Sequence, residues 1–320
     1  MTKATYSDEE FWTVLEATVV AYVQAEKLPG AYAQDARKYL RTILQNARKS
    51  CEGVDCPIIG VNGPQGSGKS TFARLLAYGF QLAFELRSVV ISIDDFYYGR
   101  EVRDRLAREF HPLFSVRGAP GTHDVQSSLC LIEKLRHAGP GEKTLIPKFD
   151  KALDEPSAPS DCKYFTGRPD LIILEGWCVG VPPQSDADLL VPVNDLERIK
   201  DSEGVWRRRA NKLLAEEYAE LFRKLNFQIS LVAPSFAKVV EWRQLQEKKL
   251  RSKRGRTGAV MTDDEVAAFT QFFERLTVWS QESMPEFSDI VLVLDDLHRW
   301  TQLRIWVNEP DGRKRLIHLE

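Results

Sequence analysis

Residues Gly63-Pro64-Gln65-Gly66-Ser67-Gly68-Lys69-Ser70 have the types and spacing of a phosphate-binding loop: Gly63 and Gly68 with four residues between them, followed by Lys and Ser. Glycines let the backbone curl until successive N–H groups face one anion, and a helix starting there adds the positive end of its dipole. On this reading the stretch from Gly63 through Gln65, Gly66, Ser67 and Gly68 to Thr71 wraps a nucleotide's phosphates. Lys69 reaches the β/γ-phosphates, and the Ser70 hydroxyl ligates Mg²⁺. The flanks fit. Pro57–Val61 is an apolar run that predicts a buried strand, and Phe72, Leu75, Leu76, Gly79 and Phe80 fall on one helical face. The alternative is a Gly-rich strand–helix turn without a ligand. Strand, loop and helix together argue against it.

Carboxylates follow two other apolar runs, in Ser92-Ile93-Asp94-Asp95-Phe96-Tyr97 and in Leu171-Ile172-Ile173-Leu174-Glu175. In an open α/β sheet, ligands gather at the carboxyl ends of the strands. Asp94, Asp95 and Glu175 are therefore expected to hold Mg²⁺ or its waters, or to accept a proton from the attacking group. Each could instead cap a helix or a turn. A basic stretch, Arg243 to Arg256, follows a strand and the start of a helix, where a lid would close. Arg243 is expected to neutralise charge on the moving phosphoryl group. Lys248 to Arg256 read as solvated surface.

The elements that must position these groups alternate. Candidate strands are Ile58–Val61, Ser88–Ile93, Thr144–Ile146, Leu171–Leu174, Phe227–Val232 and Ile290–Leu294. Unbroken apolar runs of this kind suit a mostly parallel sheet covered on both faces, so the chain is expected to be a doubly wound α/β protein. Ser235 predicts a cap for a helix from Phe236, and Thr262-Asp263-Asp264-Glu265 predicts a capping box. Lys148 to Arg168 reads as a loop. Residues 1–55 predict a helical extension, with Phe11, Leu15, Val19 and Val23 on one face and a second helix from Ala33 to Ala47 carrying Tyr39, Leu40 and Leu44. It either packs on the main domain, 56–320, or serves as an interaction arm. The lid is expected at about 235–260.

A formal net charge of −2 provides no global pull toward nucleic acid or an anionic membrane. No run of about eighteen apolar residues predicts a membrane span. Five cysteines without a C-x-x-C pair fit reduced thiols, and the N-terminus lacks a signal peptide's apolar core, so a cytoplasmic location is expected.

Further motifs occur in order: Arg117-Gly-Ala-Pro-Gly-Thr-His-Asp124, Ile146-Pro-Lys-Phe-Asp-Lys151, Leu174-Glu-Gly-Trp-Cys-Val-Gly180, Trp206-x4-Asn211-x6-Tyr218, and Ala233-Pro-Ser-Phe ahead of Trp242-Arg243. With the phosphate loop and Asp94, the set resembles the D-glycerate 3-kinase family of plants and its fungal and bacterial relatives. These belong to the broader phosphoribulokinase, uridine kinase and pantothenate kinase group. The likeness runs from about Cys56 to the end. It implies a P-loop kinase that uses ATP and Mg²⁺, with Asp94 as base for the acceptor hydroxyl and Arg243 as the lid arginine. It implies an acceptor pocket lined by Asp95, Tyr97, Arg117, His123, Asp124, Lys148, Asp150 and Lys151. Arg117, Lys148 or Lys151 could take the acceptor's carboxylate. His123 alone would read as a structural histidine. One stretch departs: relatives carry a Gly- and Arg-rich segment after Phe-Asp-Lys, where this chain has Ala152-Leu-Asp154-Glu155.

The expected activity is therefore phosphoryl transfer from ATP to a small-molecule hydroxyl, with D-glycerate leading. Pantothenate, a nucleoside or a sugar phosphate stand behind it. A nucleotide-dependent regulatory protein is a second class. A guanine-reading switch is disfavoured because Asn211-Lys212-Leu213-Leu214 lacks an Asp at its fourth position. A nucleic-acid-acting NTPase would show steep salt dependence and is disfavoured by the net charge.

Overall fold

A computed structural model of the 320-residue chain describes residues 8–254, 261–308 and 314–319, and at 8–11, 14, 249–254, 308 and 314 the backbone only. Helices α1 (Asp8–Ala25) and α2 (Gly30–Ser50) precede strand β1 (Ile58–Asn62) and α3 (Lys69–Phe84). Then come β2 (Ser88–Ser92), α4 (Arg100–Glu109), α5 (Val125–His137) and four strands: β3 (Lys143–Ile146), β4 (Phe149–Asp150), β5 (Glu155–Pro156) and β6 (Lys163–Thr166). Strand β7 (Leu171–Gly176) leads to α6 (Asp195–Lys200), α7 (Val205–Leu213), a π-helical turn (Leu214–Tyr218) and α8 (Ala219–Phe222). The chain continues with β8 (Phe227–Val232), α9 (Phe236–Arg254), α10 (Asp263–Phe287), β9 (Ile290–Leu294), β10 (Trp300–Asn308) and β11 (Lys314–Leu319).

Seven strands form the central sheet in the order β11-β10-β9-β8-β1-β7-β2. The five from β9 to β2 run parallel, and β10 and β11 add an antiparallel edge. Successive residues of β7 serve opposite cores: Leu171 and Ile173 join α1–α3, whereas Ile172 and Leu174 join α5, α8 and α10. Burial on both faces removes any polar alternation, and each such side chain contributes about 1.5–3 kcal/mol.

Two expectations are corrected. Thr144–Ile146 is a strand but lies outside the central sheet, paired antiparallel with β6. The stretch Lys148–Arg168 is not a plain loop; it holds β4, β5 and β6. Strands β10 and β11 lack the continuous apolar runs that marked the others. The signal of β10 is alternation, with Leu303 and Ile305 buried and Arg304 between them less so, and β11 is an edge whose Leu319 is exposed.

The N-terminal helices share the core of the sheet. Trp12, Leu15, Val19 and Val23 of α1 and Tyr39, Leu40, Ile43 and Leu44 of α2 are buried with Phe72 and Leu75 of α3. Close approach of α2 depends on Gly79, where a Cβ would lie 2.8 Å from Leu44 Cδ1. Buried Asp35 accepts two bonds from Arg299, at 2.8 and 2.7 Å, and one from Trp300 N–H at 3.0 Å. The side chain of Phe11 and residues 255–260 of the expected lid lie outside the described residues. Both predicted helix starts are present: Ser235 Oγ accepts from Lys238 N–H, and Thr262 and Glu265 close a capping box. Among the described residues no helix is long and apolar enough to cross a membrane, and all five cysteines are free.

Candidate active site

Register places the first carboxylate. Glu175 sits opposite Val61 of β1 on one side and Ser92 of β2 on the other, at the strand tips where the loop begins. The loop curls through left-handed Gly66 (φ 78°) and Gly68 (φ 86°), and Lys69 opens α3. Ser70 Oγ donates to Glu175 Oε1 at 2.6 Å. Asn62 fixes this corner by donating to the carbonyls of Trp177 and Val179 at 3.1 and 3.2 Å. Around the loop Gln65 Oε1, Ser67 Oγ, Asp94 Oδ1 and Glu175 Oε2 are buried with no partner in the structure. Clustered orphan oxygens of this kind mark where a ligand completes the hydrogen bonding.

Asp94 and Asp95 follow β2 in a short 3₁₀ turn, Ile93–Phe96, and diverge in role. Asp94 Oδ2 accepts from Lys151 Nζ at 2.6 Å. Burial pushes the Asp94 carboxyl up, but Lys151 and then Lys69 outweigh it and hold the group well below the usual range. Asp95 Oδ1 accepts from Phe149 N–H at 3.0 Å. Burial pushes Asp95 up to about 6, against the bond from Phe149 and with the repulsion of Asp94. Asp94 is thus the ionised member, and Asp95 ties the Phe149–Lys151 segment to the end of β2.

Among the residues expected to line an acceptor pocket, the rings of Tyr97 and His123 stack with centroids 4.1 Å apart. His123 Nδ1 meets Tyr218 Oη at 2.6 Å. Other expected lining residues are engaged locally. Asp124 caps α5, accepting from Ser127 N–H and Oγ at 2.9 and 2.7 Å. Asp150 Oδ1 accepts from Ala152 and Leu153 N–H, closing a turn. Lys148 is exposed, and its carbonyl accepts from Ser157. Arg117 packs over Phe149 and Phe269 and pairs with Asp154. Asp154 also takes Arg103 at 2.6 Å and Arg100 at 3.4 Å. Burial raises the Asp154 carboxyl, but Arg103 and Arg117 hold it below the usual range. The departing stretch therefore brings an internal carboxylate to the arginine expected to meet the acceptor.

On the lid side, α9 starts over the loop. A Cβ on Gly66 would lie 2.7 Å from Trp242 Cβ and 3.2 Å from its carbonyl carbon. His298, in the loop after β9, stacks on Trp242 at 4.0 Å and donates Nε2–H to the Gly66 carbonyl at 2.8 Å. The Asp295–Arg299 loop thus touches the phosphate loop itself. Arg243 pairs with Glu247 one turn on, both largely buried. Sequence reading left Tyr218, Asp154, Asn62 and Trp242 without roles. Tyr218 and Trp242 had been visible only as motif members.

No family model matches the chain. A curated relative, the uncharacterized kinase mug58 of Schizosaccharomyces pombe, is 33% identical over 226 residues, covering 68% of this chain and 78% of the relative. Among solved structures, a D-glycerate 3-kinase from Cryptococcus neoformans superposes with a TM-score of 0.66 at 20% identity, over 85% of this chain and 98% of that one. The YGR205w protein superposes with a TM-score of 0.61 at 22% identity, over 96% and 99%. These superpositions establish the fold. With strand-tip carboxylates set around an intact phosphate loop, the sequence match places this chain in the same family of P-loop kinases as mug58.

Proposed function

We propose that the protein transfers the γ-phosphate of ATP to a hydroxyl of a small acid, with D-glycerate, giving 3-phosphoglycerate, as the leading acceptor. The observation that carries this reading is the pairing of Asp94, ionised with Oδ1 buried and unpartnered, with Glu175 on the loop hydroxyl of Ser70. Asp94 Oδ1 takes the proton of the acceptor hydroxyl as its oxygen attacks the γ-phosphorus. Lys69 and the main-chain amides of Gly63–Thr71 stabilise the leaving phosphates, and Arg243 comes from the lid side.

A Mg²⁺ ion fits this donor set. Among the described residues no three His, Cys, Asp or Glu side chains form a ready-made cage. That suits a cation held by phosphate oxygens and waters with one hydroxyl and one or two carboxylates. Ser70 and Glu175 would hold it, with Asp94 nearby. Bound there, it would supply positive charge against the phosphoryl group in transfer.

The Asp154–Arg117 pair favours a second reading within the same chemistry. An acid acceptor must compete with Asp154 for Arg117, whereas a nucleoside carries no carboxylate. Pantothenate and sugar phosphates remain alternatives, and a regulatory protein is the reading outside catalysis. An ATP-consumption screen over D-glycerate, pantothenate, nucleosides and sugar phosphates tests this, with Asp94→Asn as control. ADP release that depends on D-glycerate and falls about 10²- to 10⁴-fold in the variant is expected. Release with another acceptor alone would replace glycerate. Silence with every acceptor would favour the regulatory class.

A further inference from the structure

Tyr218 closes the π-helical turn Leu214–Tyr218, a local insertion that recurs at functional sites, and it is fully buried. Its hydroxyl accepts from Gly121 N–H at 3.0 Å and lies 2.6 Å from His123 Nδ1. Burial holds the Tyr218 phenol well above its ordinary range, so the single hydroxyl proton stays in place. The Gly121 amide already fills an acceptor lone pair, and among the described residues the acceptor within reach of that proton is Nδ1. Nδ1 is therefore the acceptor, and a neutral imidazole carries its hydrogen on Nε2. Burial holds His123 down at about 4, which keeps the ring neutral at working pH.

Nε2 is buried and has no partner in the structure, on a residue 1% exposed. Its ring is clamped by Tyr97 on one face, three residues beyond Asp94, whose Oδ1 is also unpartnered. A fixed N–H donor with nothing to donate to, close enough to Asp94 to feel its charge, and a carboxylate oxygen with nothing to accept from describe a place for a molecule with two neighbouring oxygens.

We propose that Tyr218 locks His123 as the Nε2–H tautomer, and that this N–H donates to an oxygen on the carbon next to the hydroxyl Asp94 serves. This rests on the acceptor reading above and narrows it to vicinal oxygen compounds. In D-glycerate the oxygen is the one on C2. His123 then sets specificity, and Tyr218 is a positioning residue.

The test compares D-glycerate with 3-hydroxypropionate, which keeps the carboxylate and terminal hydroxyl but lacks the C2 oxygen. His123→Phe, which can keep the stack on Tyr97, is expected to raise KM for D-glycerate about tenfold with little change in kcat, one hydrogen bond's worth. The loss of kcat/KM should be several-fold smaller for 3-hydroxypropionate than for D-glycerate. His123→Gln, which retains an N–H donor, should recover most of the D-glycerate KM. Tyr218→Phe should raise that KM similarly, and the double variant should add nothing. Equal losses on both acceptors would overturn the inference. ¹⁵N NMR of the imidazole in the ligand-free full chain provides an answer independent of substrate: a proton on Nδ1 would refute the lock, and a proton on Nε2 that Tyr218→Phe disperses between both nitrogens supports it. If the wild type transfers nothing to D-glycerate, the acceptor reading fails, and the NMR result alone decides the tautomer.

Discussion

Replacing Asp95 by Asn separates two adjacent carboxylates that the sequence presents as equals. Asn keeps an oxygen for the Phe149 N–H, which Asp95 Oδ1 now accepts at 3.0 Å. What it removes is a carboxyl held by burial at about 6. An exposed Asp titrates near 4, so the folded state binds the extra proton over the window from about 4 to about 6. More protons on the folded than on the unfolded chain means that wild-type stability falls as pH rises through that window. Two units correspond to about 3 kcal/mol, an upper value because Asp95 retains some contact with water. The variant lacks this slope. It should match the wild type at pH 4 and exceed it by about 1–3 kcal/mol at pH 7.5. Urea unfolding of both proteins at the two pH values measures this. The opposite slope from His123, whose depressed ionisation favours folding as pH rises, is present in both proteins and cancels in the difference. A difference that stays constant between pH 4 and 7.5, or a variant less stable at pH 7.5, would refute the assignment of Asp95 as the strained carboxyl.

Asp154→Asn should lower KM for D-glycerate several-fold by releasing Arg117, with about 1–3 kcal/mol lost in thermal unfolding as Arg103 loses its counter-charge; an unchanged KM would remove Arg117 from acceptor binding. Gly66→Ala should weaken ATP binding at least tenfold by calorimetry, because a left-handed Ala costs about 1–2 kcal/mol and its Cβ collides with Trp242 Cβ. Ser70→Ala should raise the Mg²⁺ concentration needed for half-maximal turnover and lower stability in metal-free buffer by about 1–3 kcal/mol, since it leaves a second oxygen of buried Glu175 without a partner. Between pH 5 and 8 the profile of kcat/KM should show no limb from imidazole ionisation, because burial holds His123 at about 4.

The phosphate loop was legible because its chemistry is local: a left-handed turn needs Gly66 and Gly68, an anion cradle needs their N–H groups, and Lys69 and Ser70 follow at fixed offsets. Parallel strands buried on both faces were legible for a similar reason, since Ile58–Val61 and Leu171–Leu174 can only be covered from two sides. Strands β10 and β11 were not, because a half-buried edge alternates with polar residues and resembles loop in a scan for apolar runs. Nor could sequence divide Asp94 from Asp95. They share neighbours and differ only in what the fold brings from 54 residues away or more, Phe149 to one and Lys151 to the other.

The sequence by itself determined that a nucleotide's phosphates could be held at Gly63–Thr71 and that acids would stand at neighbouring strand tips, because backbone geometry and strand polarity fix both. Only the tertiary structure decided which side chains remain free for an acceptor. Arg117 is taken by Asp154 from a hairpin 37 residues on, and His123 is oriented by Tyr218 from a π-turn 95 residues away. Partners that distant meet through packing, which no local pattern of residues encodes.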